Sequence, residues 1–493
     1  GINDKSGTAY IGCEWYSPAF PGCSYVKTTQ IMEIKMGGIL KSTWEMLHDG
    51  RFLKKALMIA CPVALQGMLN TIVNMVDTLM IGGLGSTAIA AVGLANKVFF
   101  VFSLLVFGIV SGGGILAAQF WGSGDVKNIR KVLGLCVMLA MVGAMFFVVP
   151  ALTAPRMVMR IFTTSEGSIE LGAKYLRIAA LSYPFIALTN VYVAMLRATN
   201  KVVFPVICSC IAIVVNICLN YVLIFGKFGA PTMGVAGAAC ATLTARCIEV
   251  TLVLFYVYGK KLPLACGPKG MFGWHKAFIT QFLETSAPVI ANEFMWGLGT
   301  TMYSLAYGRM SDDAVAAITI ATTIQDIAVV LFQGLSAATA VILGNELGAG
   351  KLKRAEKYAT QFFILQFIVT ITAGVCLILG RWKIIGIYSI TPEVAMDVSR
   401  CLLVFVAYMP AKMFNYVNIV GVLRSVVIPG CACFWIPAVY GALEFRCVFR
   451  RISMASAIYG VYALVMSEEV YKLILGYIRY RQKKWLKNLA IQV

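Results

Sequence analysis

From Ala56 to Asn96 the chain carries a single charged side chain, Asp77. About 20 apolar residues cross the hydrocarbon core of a bilayer as a helix, so this run predicts a membrane span with a carboxylate inside it. A charge at that depth costs roughly 2.5–3.5 kcal/mol on insertion scales, and such residues face a cavity or an ion path rather than lipid. The rest of the chain is therefore read for what it can place around Asp77.

Runs of the same kind fill most of the sequence. Hydrophobic residues make up 59% and charged residues 13%, about half the charged share of soluble domains, near 25%. Mean hydropathy is +0.81. The pattern predicts an all-α polytopic membrane protein with twelve spans. These are 56–82, 87–120, 131–153, 169–196, 203–226 and 234–258, then 283–309, 313–346, 355–380, 393–423, an ill-defined eleventh in 426–456, and 459–480. The net charge of +20 excludes a nucleic-acid surface, because Lys and Arg fall in short clusters on alternate loops rather than on one face. Lys127/Arg130/Lys131, Lys351/Lys353/Arg354 and the 481–493 tail share one side. The positive-inside rule makes that side cytoplasmic, with both termini there, in an inner (plasma) membrane, and puts Asp77 in the outer half of its span. Cysteines sit singly within apolar runs, without metal-ligand spacing or His partners, and read as reduced packing residues. No motif for a cofactor, a resident metal or an enzyme's catalytic group stands out. Residues 1–48 are expected to be an N-terminal extension, partly disordered or non-native, with the working protein beginning near Met32 or Met36.

The second constraint is an internal repeat. A shift of 226 residues lays Pro62 on Pro288, Gly82 on Gly308, Gly122 and Gly124 on Gly348 and Gly350, and Pro184 on Pro410. One residue later in register, Arg197 meets Arg424. The copies enter the membrane in the same orientation, a layout of parallel six-helix halves around a central cavity. The expected domains are 49–258 and 283–480, joined by a cytoplasmic linker at 259–282. The four repeated prolines remove helix hydrogen bonds and predict bends, fixed or hinged. Ser111-Gly112-Gly113-Gly114 predicts either close helix approach or a backbone-lined cavity.

Several polar residues inside the spans are candidates for chemistry. Asp77 is either a carboxylate held by neighbouring amides or a switch neutralised by a small cation. Asn216 and Asn220 are four apart and share one helix face. Their amide oxygens beside a carboxylate make a hard-oxygen set suited to sodium, and interhelical hydrogen bonding is the alternative. Thr242 and Glu293 are further candidates, Glu293 with Gln325 or Asp326 as partner. Met68, Met75, Trp296 and Tyr303, with Gln325 and Asn415, are candidates for an adaptable cavity wall, although most such side chains simply pack.

Val76-Asp77-Thr78 with Gly82, Asn216-x-x-x-Asn220-Tyr-x-Leu-Ile-Phe-Gly226, Gly234-x-x-Gly237-Ala-Ala-x-Ala-Thr242 and Gly344-Asn-x-Leu-Gly-Ala-Gly350 resemble the multidrug and toxic compound extrusion (MATE) transporters. The resemblance covers about residues 45–425 and 458–488. It implies two six-helix lobes and export of amphiphilic, mostly cationic small molecules, driven by entry of sodium or protons, with a monomer as the expected working unit. It makes Asp77 the acidic residue of the N-terminal lobe, aligns Thr242 with the same site, and likens Glu293 to an acidic residue that some members place in the C-terminal lobe. Asn220 stands where some members have Asp, and Asn415 where some have a second C-lobe Asp. A lipid or glycolipid flippase of the same superfamily is the alternative, for which a strongly cationic central cavity is expected. Residues 426–457 break the pattern. Codons for Val426-Val-Ile-Pro-Gly430, read one base earlier after a G, can encode the Gly-Gly-Asp-Thr-Arg expected after Leu-Arg-Ser. The segment is therefore read as frame-shifted, which would leave an inactive copy if expressed as written; a divergent helix is the alternative.

Overall fold

A computed structural model describes residues 49–307, 312–388, 390–425 and 458–490. The extension at 1–48, Gly308 and the 426–457 segment, with both readings of its origin, lie outside the described residues. The chain divides near Leu53 into two units. In the first, only the opening of a helix is described, where the Phe52 amide donates to Asp49 Oδ1 at 3.1 Å. Everything below concerns the second, from Lys54 onward.

The helices follow the predicted spans closely. They are α1 (Gly50–Gly82), α2 (Ser86–Ser123), α3 (Val126–Thr153), the short α4 (Pro155–Arg160), α5 (Glu166–Ala179), α6 (Tyr183–Ala198), α7 (Val203–Phe225) and α8 (Val235–Gly259). After a short α9 (Pro268–Met271) come α10 (Lys276–Tyr307), α11 (Asp312–Gly348), α12 (Leu352–Ile385), α13 (Pro392–Asn415) and α14 (Ile458–Arg481). No strand occurs among the described residues. Nine helical segments among them are long and apolar enough to cross a bilayer; α10 and α14 have 32 and 24 residues, enough length to span at 1.5 Å per residue.

Proline and glycine account for where the elements depart from straight rods. Pro184 falls in the first turn of α6, after a 3₁₀ turn at Ala180–Ser182, so the predicted 169–196 span is one continuous segment, Glu166–Ala198, with a tightened turn inside it. Pro62, Pro288 and Pro410 lie inside α1, α10 and α13. Beyond Pro410 the helix loosens into a π-helical stretch over Tyr416–Val422. The expected linker at 259–282 is shorter than drawn, because α10 already begins at Lys276. Gly124 and Gly350, repeat equivalents, close α2 and α11 with φ of 79° and 73°, a left-handed geometry that glycine adopts without the Cβ clash.

Two lobes meet along α2, α10 and α11, and the repeat is visible in the contact itself. A Cβ at Gly122 would strike the carbonyl oxygen of Asn345, and one at Gly348 would strike that of Gln119. Gln119 and Asn345 are themselves repeat equivalents, so the contact is reciprocal, as at a two-fold interface. The pair Gly108–Ile290 is mirrored by Gly334–Ala64, and Gly344 packs on its own equivalent, Ala118. With no hydrophobic drive between helices in lipid, such close backbone approach supplies the packing that holds lobes together. Gly112 meets Ser286 and Gly113 meets Cys136, so the glycine run serves close approach. Within the lobes, Phe102 of α2 stacks on Tyr183 of α6 at 4.7 Å. In the other lobe Phe332, Phe405, Met413 and Tyr462 form part of a buried core drawn from α11, α13 and α14.

Candidate functional site

The glycine contacts gather toward the ends of α2 and α11 that carry the basic loops. The opposite half of the N-terminal lobe is hollow. A cavity of about 500 Å³ lies there among α1, α2, α5, α6, α7 and α8. Its wall includes Asp77, Asn74 and Thr78 of α1, Phe99 and Phe100 of α2, and Tyr175 of α5. Polar side chains also stand exposed in mid-span, among them Asn70, Asn190, Asp326 and Gln333. Positions of that kind fit a water-filled cleft, since the same groups in contact with hydrocarbon would lack hydrogen-bond partners.

Four of the sequence-selected residues come together here: Asp77, Asn216 and Thr242 on the wall and Asn220 behind it. Asn220 donates to Asp77 Oδ1 at 2.6 Å and stands 3.2 Å from Asn216 Oδ1, and Asn216 donates to Thr242 Oγ1 at 3.4 Å. The four-residue spacing of Asn216 and Asn220 puts both on the α7 face toward α1 and α8, and both are buried. Asp77 is half-buried and is held by a neutral amide. A carboxylate with amide and hydroxyl oxygens close by is a donor set for a small hard cation.

The C-terminal lobe handles its charges differently. Glu293 does not pair with Gln325 or Asp326. Its Oε1 accepts from Arg424 at 2.5 Å, with both residues buried, while Gln325 accepts from the Tyr462 hydroxyl. The reason lies in the repeat. Arg197 and Arg424 are equivalents, and each turns onto the first helix of its own lobe, Arg197 onto Gln66 Oε1 at 2.5 Å. Glu293 is thereby already neutralised by the chain. Tyr303 donates to Glu468 at 2.8 Å, and Glu468 also holds Lys472 at 2.5 Å. Asn415 donates to the carboxylate of Glu469 at 2.9 Å. Met68, Met75 and Trp296 are exposed, and none of the six proposed wall residues lines the 500 Å³ cavity; its aromatic wall is Phe99, Phe100, Tyr175 and Tyr183 instead.

Sequence reasoning missed a second polar group. Arg246, on α8 one turn beyond Thr242, lines the same cavity as Asp77 and donates to Glu249 Oε2 at 2.6 Å. Glu249 is 3% exposed and takes a second hydrogen bond on Oε1 from Ser209 at 2.7 Å. Ser209 in turn accepts from Gln66 at 2.8 Å. The available signal was a charged pair three apart in the middle of an apolar span.

Comparison with known proteins agrees with this architecture. A family model described as MatE matches residues 62–222 and 288–430, one stretch in each repeat. A probable multidrug resistance protein NorM of Thermotoga maritima is 27% identical over 349 residues, covering 70% of this chain and 74% of its own. One of the same description from Neisseria meningitidis serogroup B is 24% identical over 370 residues, 73% of this chain and 79% of its own. Among solved structures, an outward-facing multidrug resistance MATE family transporter of the MOP superfamily superposes with a TM-score of 0.79. It is 18% identical and covers 88% of this chain and 96% of that one.

Proposed function

The chain belongs to the MatE family of multidrug efflux transporters, and from that premise we propose that it exports amphiphilic, mostly cationic compounds by alternating access, driven by sodium or proton entry at Asp77. The observation that carries this reading is the placement of Asp77 on the cavity wall with Asn216 and Thr242, all joined through hydrogen bonds that include the buried Asn220. Coupling requires that the ion stabilise one conformation more than the other. An anionic Asp77 favours an open, hydrated cavity; bound sodium or a proton cancels the charge and lets the walls approach. Substrate and ion then exclude one another by competing for the same negative charge and the same space.

With the basic loops facing the cytoplasm, this structure is the outward-open state: the lobes touch near Gly122 and Gly348 and the cavity lies toward the other face. Charged groups of both signs, Asp77 and Arg246, line the cavity, which favours drug export over a flippase with a strongly cationic chamber. The transporter works as a monomer in the inner membrane. Inverted vesicles loaded by sodium and pH gradients applied separately test the reading, with ethidium as the transported cation. Asp77→Asn is expected to abolish gradient-driven uptake; uptake equal to wild type under both gradients would overturn the assignment.

A further inference from the structure

Arg246 occupies a position that the ion-coupling reading leaves unused. It lines two hollows at once: the large cavity that holds Asp77, and a small one of about 50 Å³ beneath it. The small hollow is walled by polar groups from four helices, Gln66 and Asn70 of α1, Thr189 and Asn190 of α6, Ser209 of α7 and Glu249 of α8. Thr189 is 5% exposed, and among the described residues its Oγ1 has no hydrogen-bond partner. An unpaired buried hydroxyl beside a polar space marks a place for water, and a hollow of about 50 Å³ is roomy enough to hold it.

Helix geometry sets the distances. Thr242 and Arg246 are four apart and so lie on one face of α8, about 6 Å apart along its axis. Thr242 belongs to the Asp77 network through Asn216. The guanidinium, on a long flexible stem, thus has a carboxylate on either side: Glu249, which it holds at 2.6 Å, and Asp77 across the shared cavity. Arg197 of α6 donates to Gln66, whose amide also reaches Ser209. Tyr175, facing Asp77 from α5, donates to Asn96 at 3.5 Å.

We propose, resting on the coupling role of Asp77 above, that Arg246 is a tethered cation which exchanges between Glu249 and Asp77 and competes with the coupling ion. With the ion bound, Asp77 is neutralised and Arg246 stays on Glu249. When the ion leaves, Arg246 swings to Asp77, and water in the small hollow, held by Thr189 and its amide neighbours, takes over the solvation of Glu249. No bond is made or broken; one cation replaces another at the same carboxylate. The strength of the Arg246–Glu249 pair therefore sets ion affinity, because it fixes how readily the tethered cation leaves Glu249.

The test is the half-saturating concentration of the driving cation in proteoliposomes, sodium at fixed pH or protons without sodium. Arg246→Met is expected to lower it by about tenfold, since a competing unit charge on the wall of the same cavity is removed. Glu249→Gln frees Arg246 for Asp77 and is expected to raise it several-fold. The double variant is expected to match Arg246→Met, and Arg246→Lys to stay near wild type. A structural role for the pair predicts that both single variants weaken transport together, with matched losses of thermal stability; shifts in the same direction overturn the inference. Asp77→Asn separates the two levels. If Asp77→Asn keeps wild-type ion dependence, the coupling site itself is wrong and the inference falls with it. If Asp77→Asn is inert while the Arg246 and Glu249 variants leave ion affinity unmoved, only the tethered cation is wrong.

Discussion

At the level of single residues, two carboxylates that look alike in the sequence have opposite surroundings. Glu293 is buried against Arg424 at 2.5 Å, so removing one partner leaves an uncompensated charge in a dry place. Arg424→Met is expected to destabilise the protein by about 3–5 kcal/mol, read as a lowered thermal midpoint in detergent. Glu293→Met with Arg424→Met should recover most of that loss, because two apolar side chains of similar size replace a pair that offsets its own desolvation. Asp77→Asn should behave in reverse. The Asn220 amide can still donate to the new side-chain oxygen, so stability should change by less than about 1 kcal/mol while ion-driven transport is lost. Asp77 was legible because it stands alone in a long apolar run. The Glu293 pairing was not, since Arg424 lies 131 residues away and only the folded repeat brings it back. Arg246 and Glu249 escaped for a different reason. An i,i+3 charge pair on one helix looks self-contained, and its meaning depends on which cavity the helix borders.

At the level of helices, hydropathy located each span that falls on described residues to within about two turns, because a bilayer imposes a length on each of them. It did not reveal that the 169–196 run tightens into a 3₁₀ turn at Ala180–Ser182 or that the chain loosens into a π-helical stretch after Pro410. Such departures change the hydrogen-bond register without changing apolarity, so a hydropathy profile is blind to them. The repeated glycines were visible as landmarks, but their pairing needed the fold. Gly348 lies against the Gln119 carbonyl, and Gly122 against that of Asn345. A side chain at either site must push α2 and α11 apart, and overpacking of this kind costs about 1–3 kcal/mol. Gly348→Val is therefore expected to shift the protein away from the state described here. Spin labels on the loops near Gly124 and Gly350 should report a longer distance than in the unsubstituted protein. An unchanged distance would mean that the helices tolerate the added volume by local repacking.

At the level of the whole molecule, the two lobes must separate at the end where they now touch, so whatever ties them there sets the balance between states. The sequence presents residues 481–493 as a basic tail and nothing more. In the fold, the chain beyond α14 turns back and packs, with Trp485 1% exposed. The Leu489 amide donates to Gln119 Oε1 of α2 at 2.6 Å, Asn488 donates to the Gly348 carbonyl of α11 at 3.1 Å, and Gln281 of α10 donates to the Leu489 carbonyl at 3.1 Å. One strand of chain thus joins a helix of the N-terminal lobe to two of the C-terminal lobe, beside the ion pair of Lys55 with Glu346 at 3.5 Å. That ion pair is partly exposed and contributes little; the tail's three hydrogen bonds, one buried and two part-buried, at about 1 kcal/mol each, matter more. Ending the chain after Arg481 removes all three. Because a loss of 1 kcal/mol is roughly a fivefold change in an equilibrium, truncation should raise the population open at the basic end by that factor or more. Asn345→Cys, at a site 7% exposed in the closed arrangement, reads this directly in a chain stripped of its other reactive cysteines. Its labelling by a water-soluble maleimide is expected to accelerate at least about fivefold on truncation, and Gln119→Ala in the full chain should reproduce part of the effect. Equal labelling rates with and without the tail would show that the glycine contacts alone hold this end shut.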